Sequence, residues 1–348
     1  MKDVAELAGV SAMTVSCALR NSPKVLPATR ERILEAASSL GYRPDPEISK
    51  LMMHLRQPTQ HSFSHQLAFI NSWPDPREHL KGYVGMLFHG ARHRAAQLGF
   101  DLEPFWLLEP GMTDSRLSSI LYSRGIRGVL LAPWQHPSEN IQFDWQRFSV
   151  VATTLSVTKP AMNRVAPNVF KNTLLACEEL LRLGYRRIGF IETEDLHMRS
   201  EALARGAFEM VRATRMDSTS PTALTLRDND DPALLEWFET CRPDAIVSPM
   251  ASPYYKLQKA LRKGTHFGFV VLDALRDDRL TAVDQNPGNL GAASVDLLVS
   301  QILNNETGIP EIPKLMLLDG QLRPGMSTPR VILKKPARTR PKPRRART

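Results

Sequence analysis

Lys2-Asp3-Val4-Ala5-Glu6-Leu7-Ala8-Gly9-Val10-Ser11-Ala12-Met13-Thr14-Val15-Ser16-Cys17-Ala18-Leu19 sets apolar residues at helical spacing on both sides of a Gly-Val-Ser break. That is the pattern of two short helices joined by a tight turn. Gly9 can take the positive φ that ends the first helix, and Ser11 can cap the second by accepting a hydrogen bond from the backbone N–H near Thr14. Val4, Leu7, Val15 and Leu19 are then predicted to face inward together. A third helix is predicted to begin at Pro27, run through Ile33, Leu34 and Ala37 to Leu40, and stop at Gly41. Such a bundle is small, and its second helix is exposed enough to enter a major groove.

Five stretches, Lys2-Asp3-Val4-Ala5, Ala8-Gly9-Val10-Ser11, Thr14-Val15-Ser16, Thr29-Arg30-Glu31-Arg32 and Leu40-Gly41-Tyr42-Arg43-Pro44, together resemble the LacI/GalR (lactose-repressor) family of transcriptional regulators. The resemblance implies a homodimer that sets two recognition helices into the half-sites of a near-palindromic DNA operator. In that family bases are read by the two residues after the capping serine, here Ser11, and by an arginine one turn on; these positions hold Ala12, Met13 and Cys17. None can make a bidentate hydrogen bond to guanine or adenine. Direct readout then rests on apolar contact of Ala12 and Met13 with thymine methyls, with Thr14, Ser16 and Arg20 at phosphates or base edges. Met1 stands almost on the first helix, where the family usually carries several more residues.

The next segment, Asp45-Pro46-Glu47-Ile48, is a helix start with Asp45 as N-cap, and Ile48, Leu51, Met52 and Leu55 follow on one face. The resemblance puts a hinge helix here, with Leu51 on the position that wedges into the central minor groove. A linker helix packed on its own core is the other reading. Asp45 and Ser49 replace the family's asparagine and arginine, so specificity leans on DNA shape and half-site spacing.

A chain of 348 residues is too long for one ordinary core and fits a small head plus a larger region of two subdomains. The expected boundaries are 1–43 for the head, 44–65 for hinge and linker, 66–329 for a two-lobed core and 330–348 for a basic tail. Residues 330–348 hold nine Lys or Arg and no acid, which accounts for the whole formal charge of +9. The head is therefore only weakly cationic, although DNA affinity depends on phosphate neutralisation. The tail, Pro-interleaved and without apolar spacing, is read as disordered; it either touches DNA non-specifically or is a solvated extension. No N-terminal signal segment and no apolar run of membrane-spanning length is present, so a cytoplasmic location is expected, with no membrane partner. Three dispersed cysteines argue against a disulfide framework or paired-thiolate metal site.

From residue 66 the pattern changes to strand–helix alternation: strands at 66–73, 101–107 and 127–132, helices at 80–98 and 114–124, then a helix at 168–183 and strands near 187–192, 223–226, 245–248 and 267–272. This is an α/β fold with parallel sheets. Gly184-Tyr185-Arg186-Arg187-Ile188 is similar to a family strand entry, and Leu280 to Pro287 and Arg323 to Thr328 are similar to its later motifs, so the resemblance implies the two-lobed fold of periplasmic sugar-binding proteins.

Ligands of such folds lie at the carboxyl ends of strands, between lobes. Trp73 and Asp75 follow the first strand, and Trp134 and Gln135 the third; Asn168 falls where the family has an aspartate, Asp273 matches its sugar-holding acid, and Gln285 lies on the crossover. Indole faces and short acids suit a sugar, although Trp73 and Trp134 equally fit packing at domain edges. The family's cleft arginine falls at Leu203, leaving Arg199 or Arg205. The expected function is a transcriptional regulator, a repressor, controlled by a small effector. An architectural DNA binder without effector is the alternative. No P-loop, dinucleotide fingerprint or nucleophile elbow points to an enzyme or a cofactor, and His89 and His93, though at i, i+4, lack the zinc-protease glutamate between them.

Overall fold

The computed structural model describes residues 1–19, 22, 25–42, 65–74, 80–134, 141–217, 219–227, 231–262, 264–273 and 279–330. The hinge at 44–64, the tail from 331, Arg20, Asp45, Ser49, Leu51, Asp75 and Gln135 lie outside them.

The head consists of α1 (Lys2–Leu7), α2 (Ala12–Leu19) and α3 (Pro27–Ser39). Gly9 and Gly41 take φ of +61° and +59° at the turns where the sequence requires left-handed backbone. Val4, Ala8, Val15, Ala18, Ile33, Ala36 and Ala37 form a common buried cluster. Leu7 does not join them and is 59% exposed; Leu34 is exposed as well. At 3.6 residues per turn, Leu7 points roughly 100° away from the centre of the Val4–Ala5–Ala8 stripe, and Leu34 is offset by a similar angle from the Ile33–Ala36–Ala37 stripe. The small alanines bring the helices close, and the two leucines are left on the outside. Leu19 is partly buried against the cluster, as expected.

The remaining elements run β1 (Gln66–Asn71), α4 (Gly82–Gln97), β2 (Asp101–Trp106), α5 (Asp114–Ser123), β3 (Gly128–Leu131), β4 (Ser149–Thr153), β5 (Arg164–Pro167), α6 (Val169–Leu183), β6 (Ile188–Thr193) and α7 (Glu194–Arg199). Then follow α8 (Leu203–Arg215), β7 (Leu224–Leu226), α9 (Asp231–Cys241), β8 (Ala245–Ser248), α10 (Ser252–Ala260), β9 (Gly268–Val271), β10 (Thr281–Asp284), α11 (Pro287–Asn304), β11 (Leu315–Leu318) and β12 (Gln321–Arg323). The chain divides into two compact units, Met1–Val169 with Asp195–Ala202 and Gln285–Gly320, and Phe170–Glu194 with Leu203–Asp284 and Gln321–Thr348.

In the first unit the strand order is β11-β5-β4-β3-β1-β2, and every neighbouring pair is parallel. Leu67 and Phe69 of β1 pack with Leu87 of α4 and with Leu290 and Leu298 of α11. The alternate residues Ala68 and Ile70 pack with Leu117 and Leu121 of α5 on the other face. A strand buried on both faces reads as a continuous apolar run, which is how β1 and β3 appear in sequence. Helices α4 and α11 touch backbone to backbone: a Cβ on Gly291 would lie 2.1 Å from the Leu87 carbonyl oxygen, and one on Gly90 would lie 2.0 Å from that of Gly288. Only glycine fits either position.

The second unit has the order β12-β10-β9-β8-β6-β7, parallel except for the antiparallel β10–β12 pair. Its Gly-Tyr-Arg-Arg-Ile entry is structural. The Asp244 carboxylate accepts the backbone N–H groups of Arg186 and Arg187, the Arg187 guanidinium donates to the carbonyls of Thr219, Cys241 and Arg242, and the Tyr185 hydroxyl donates to the Pro329 carbonyl. Ser327 fixes the chain end in the same way, donating to the Phe269 carbonyl at 2.6 Å and accepting from the Thr281 N–H at 2.8 Å. Strands β4, β5 and β10 to β12 add to those expected from the sequence. No helix among the described residues is long and apolar enough to cross a membrane.

Candidate functional site

In the head, the start of α2 is held by a local bond: Ser11 Oγ accepts the Thr14 N–H at 3.1 Å and pairs with Thr14 Oγ1 at 2.9 Å. The cap fixes the helix entry, and burial of Val15 and Ala18 then sets the rotation of α2. Ser11, Ala12 and Met13 are turned outward as a consequence, with Met13 65% exposed. Thr14 and Ser16 are half-buried on the flanks. Cys17 is also half-buried and leans on the head's own cluster, so a thiol sits where a longer side chain would extend from the same helix turn. The outer end of α2 thus offers one methyl, one thioether and two hydroxyls, a surface with apolar reach and no fork of donors.

In the first core unit the parallel strands bring their carboxyl ends to one edge of the sheet. The register of β1 with β3 sets Ile70 beside Leu131; Trp73 follows β1 and Trp134 follows β3. Trp73 is partly buried against the cluster that holds α4 and α11, and Trp134 is 4% exposed in the opposite cluster. The Trp73 N–H donates to Asn71 Oδ1, the Trp106 indole donates to the Trp73 carbonyl at 2.8 Å, and the Trp134 N–H donates to Ser156 Oγ at 2.8 Å. Asn168 follows β5 at the same edge and donates through Nδ2 to Asp319 Oδ1 at 2.9 Å. Arg199, half-buried on α7, faces Asp195 at 3.5 Å. In the second unit Asp273 follows β9 and is half-buried; Gln285, just past β10, is the residue at which the chain returns to the first unit.

Two residues at strand ends escaped the sequence reading. Asn71 is fully buried at the last position of β1, and Glu192 is fully buried near the end of β6, with Arg205 at 3.9 Å from its Oε1 and donating to Thr225. Their signal was available: a polar residue closing an otherwise apolar strand, as in Leu-Ala-Phe-Ile-Asn and Gly-Phe-Ile-Glu-Thr. By contrast, a recess of about 660 Å³ lined by Gln66, His89, Arg92, Asp101 and Arg124 lies at the opposite, amino-terminal end of β1 and β2. It is open and bordered by charged side chains, and strand-end chemistry does not reach it. No cluster of metal-ligating side chains occurs among the described residues.

Comparison with known proteins follows the same division. Residues 1–45 match the family model described as bacterial regulatory proteins, lacI family. The sucrose operon repressor of Escherichia coli is 49% identical over 59 residues, 17% of this chain and only 18% of that repressor's length. Over nearly the whole chain the similarity is one of fold. The cellobiose complex of the transcriptional regulator CelR superposes with a TM-score of 0.60 at 22% identity, covering 94% of this chain and 98% of that one. The lac repressor dimer bound to operator and the anti-inducer ONPF superposes with a TM-score of 0.57 at 18% identity, covering 94% and 98%.

Proposed function

We propose, for a chain that belongs to the lacI family of bacterial regulatory proteins, that it is a sequence-specific DNA-binding repressor acting as a homodimer, with operator affinity set by a small sugar-like effector. The observation that carries this is the capped α2, whose buried Val15 and Ala18 leave Ser11, Ala12, Met13 and Thr14 on the side that can enter a major groove. Ala12 and Met13 supply apolar contact to thymine methyls, while Thr14 and Ser16, with Arg20, serve phosphates and edges. Leu51 supplies the minor-groove wedge.

For the core, the reading rests on the strand ends: Trp73, Trp134 and Asn168 at one sheet edge, with Asp75, Arg199, Asp273 and Gln285 as further contributors. A ligand that prefers one arrangement of the core over another shifts the equilibrium that orders the hinge, and so changes operator affinity by linkage. The cellobiose found with the CelR regulator supports a carbohydrate-like effector.

Selection of bound sequences from random duplex DNA, repeated with a panel of sugars and sugar derivatives, tests the whole reading. A near-palindromic site whose enrichment changes with one compound is the expected result. Absence of preference for any duplex over bulk competitor, under every compound, overturns it. Cys17→Arg in the same selection is expected to alter the preferred half-site; recovery of an identical site removes Cys17 from the reading surface.

A further inference from the structure

The first unit's sheet has two edge strands, β2 and β11, and they are finished differently. β2, Asp101-Leu102-Glu103-Pro104-Phe105-Trp106, carries two acids and a proline, residues that keep an edge from pairing with another chain. β11, Leu315-Met316-Leu317-Leu318, carries neither charge nor proline. Leu315, Met316 and Leu317 are 45%, 43% and 43% exposed. Leu318 packs on the cluster that holds α4 and α11, so Met316 lies on that face of the sheet and Leu315 and Leu317 on the other. The Lys314 and Leu318 carbonyls accept the Arg164 and Asn168 N–H groups, which turns the backbone groups of the even-numbered residues toward β5. The N–H and C=O of Leu315 and Leu317 therefore point to the open side, where no strand pairs among the described residues.

Backbone groups in this spacing are complementary to a copy of themselves. We propose that two copies of this chain pair antiparallel through β11, with Met316 facing the partner's Met316 across a two-fold axis. In that register Leu315 and the partner's Leu317 exchange both N–H···O=C bonds, as do Leu317 and the partner's Leu315, and two six-stranded sheets become continuous. The leucines cover one another on one face and the two methionines on the other. The ladder stops at Pro313, which has no N–H to offer the partner's Asp319. Lys314 lies opposite the partner's Leu318, next to its Asp319, so opposite charges share each end of the pair and like charges do not face. The chain's own tail is a poor strand for this edge: Pro336, Pro341 and Pro343 interrupt it, and its Lys and Arg residues find no acid on β11. A strand of 4 residues covers less than the roughly 800 Å² per partner of a lasting interface, so the pairing is expected to depend on concentration.

The test uses the full chain. Met316→Cys is expected to give a disulfide-linked dimer on mild oxidation, because the facing Cα atoms of such a pair lie about 4.5 Å apart. Leu315→Cys and Leu317→Cys, each two residues out of register with its own counterpart, should crosslink at least fivefold less. The unaltered chain, with Cys17, Cys177 and Cys241, gives the background. Leu317→Lys, at an exposed position, is expected to move self-association, read by sedimentation, to tenfold higher concentration or beyond, with circular dichroism showing that the variant folds. Equal crosslinking from all three positions, crosslinking no greater than background, or self-association unchanged by Leu317→Lys overturns the pairing and leaves the edge to a strand of another protein. Each of these results leaves the reading of the head and its operator untouched, since the duplex selection does not involve β11.

Discussion

At the start of α2 the Thr14 N–H meets a hydroxyl only three residues away, Ser11 Oγ at 3.1 Å, and the surface it organises faces solvent. Three residues past β3 the Trp134 indole is buried, its N–H without a partner among the described residues, in a setting assembled from strands more than sixty residues apart in sequence. The first arrangement is local and complete in itself. The second is non-local and depends on how distant strands pair. Local bonding shapes the one and strand pairing the other, and the two predict different failures.

The sharpest way to break the comparison is Val15→Asp, which places a charge in the fully buried centre of the head. Operator affinity, read by mobility shift, is expected to fall by more than about 100-fold, while effector binding to the core stays intact. The reverse perturbation is Gly291→Ala, whose Cβ would meet the Leu87 carbonyl at 2.1 Å. Overpacking of this kind costs about 1–3 kcal/mol. Thermal melting should then show the core transition lowered and the head transition unmoved; a head transition that moves with it would mean the two regions do not fold separately. Ser11→Ala removes the cap at about 1 kcal/mol, so operator affinity should drop by several-fold, and Ser11→Thr, which keeps an uncharged capping hydroxyl, should retain most of it. The smallest effect is chemical. Burial pushes the Cys177 thiol up to about 12 from 9.0, so at pH 8 to 9 it stays protonated and should resist a thiol reagent that labels Cys17 and Cys241. Early labelling of Cys177 in the native protein would show that α6 opens readily.

The head was readable almost residue by residue because everything that shapes it acts within one or two helical turns: Gly9 for the turn, Ser11 for the cap, Pro27 for the third helix. The errors there, Leu7 and Leu34, came from taking size for burial, whereas the helix phase favoured Ala5, Ala8, Ala36 and Ala37. In the core the strand–helix alternation and the parallel sheets were legible from apolar runs, with most ends within two residues. The strands β4, β5, β10, β11 and β12 were not, although they are of the same three to five residues as β3, β7, β8 and β9; their pairing is decided by partners far along the chain. For the candidate site, Trp73 and Trp134 could be placed at strand ends by position alone. Asn71 carried a signal too, a polar residue closing an apolar strand, but its hydrogen bond to the Trp73 N–H shows only in the fold. Leu51, Arg20 and Asp75 belong to the expectations outside the described residues.

Strand β11 closes one edge of the first unit's sheet against β5, and α11 fills that sheet's face against α4, although both are encoded after residue 286. A ribosome therefore makes more than four-fifths of the polypeptide before the pieces that complete its earliest sheet exist. A premature stop between β5 and α11 should leave Leu67, Phe69 and Leu87 without their cover and send the nascent product to chaperones or proteases, even though every residue of β1 to β5 has been translated.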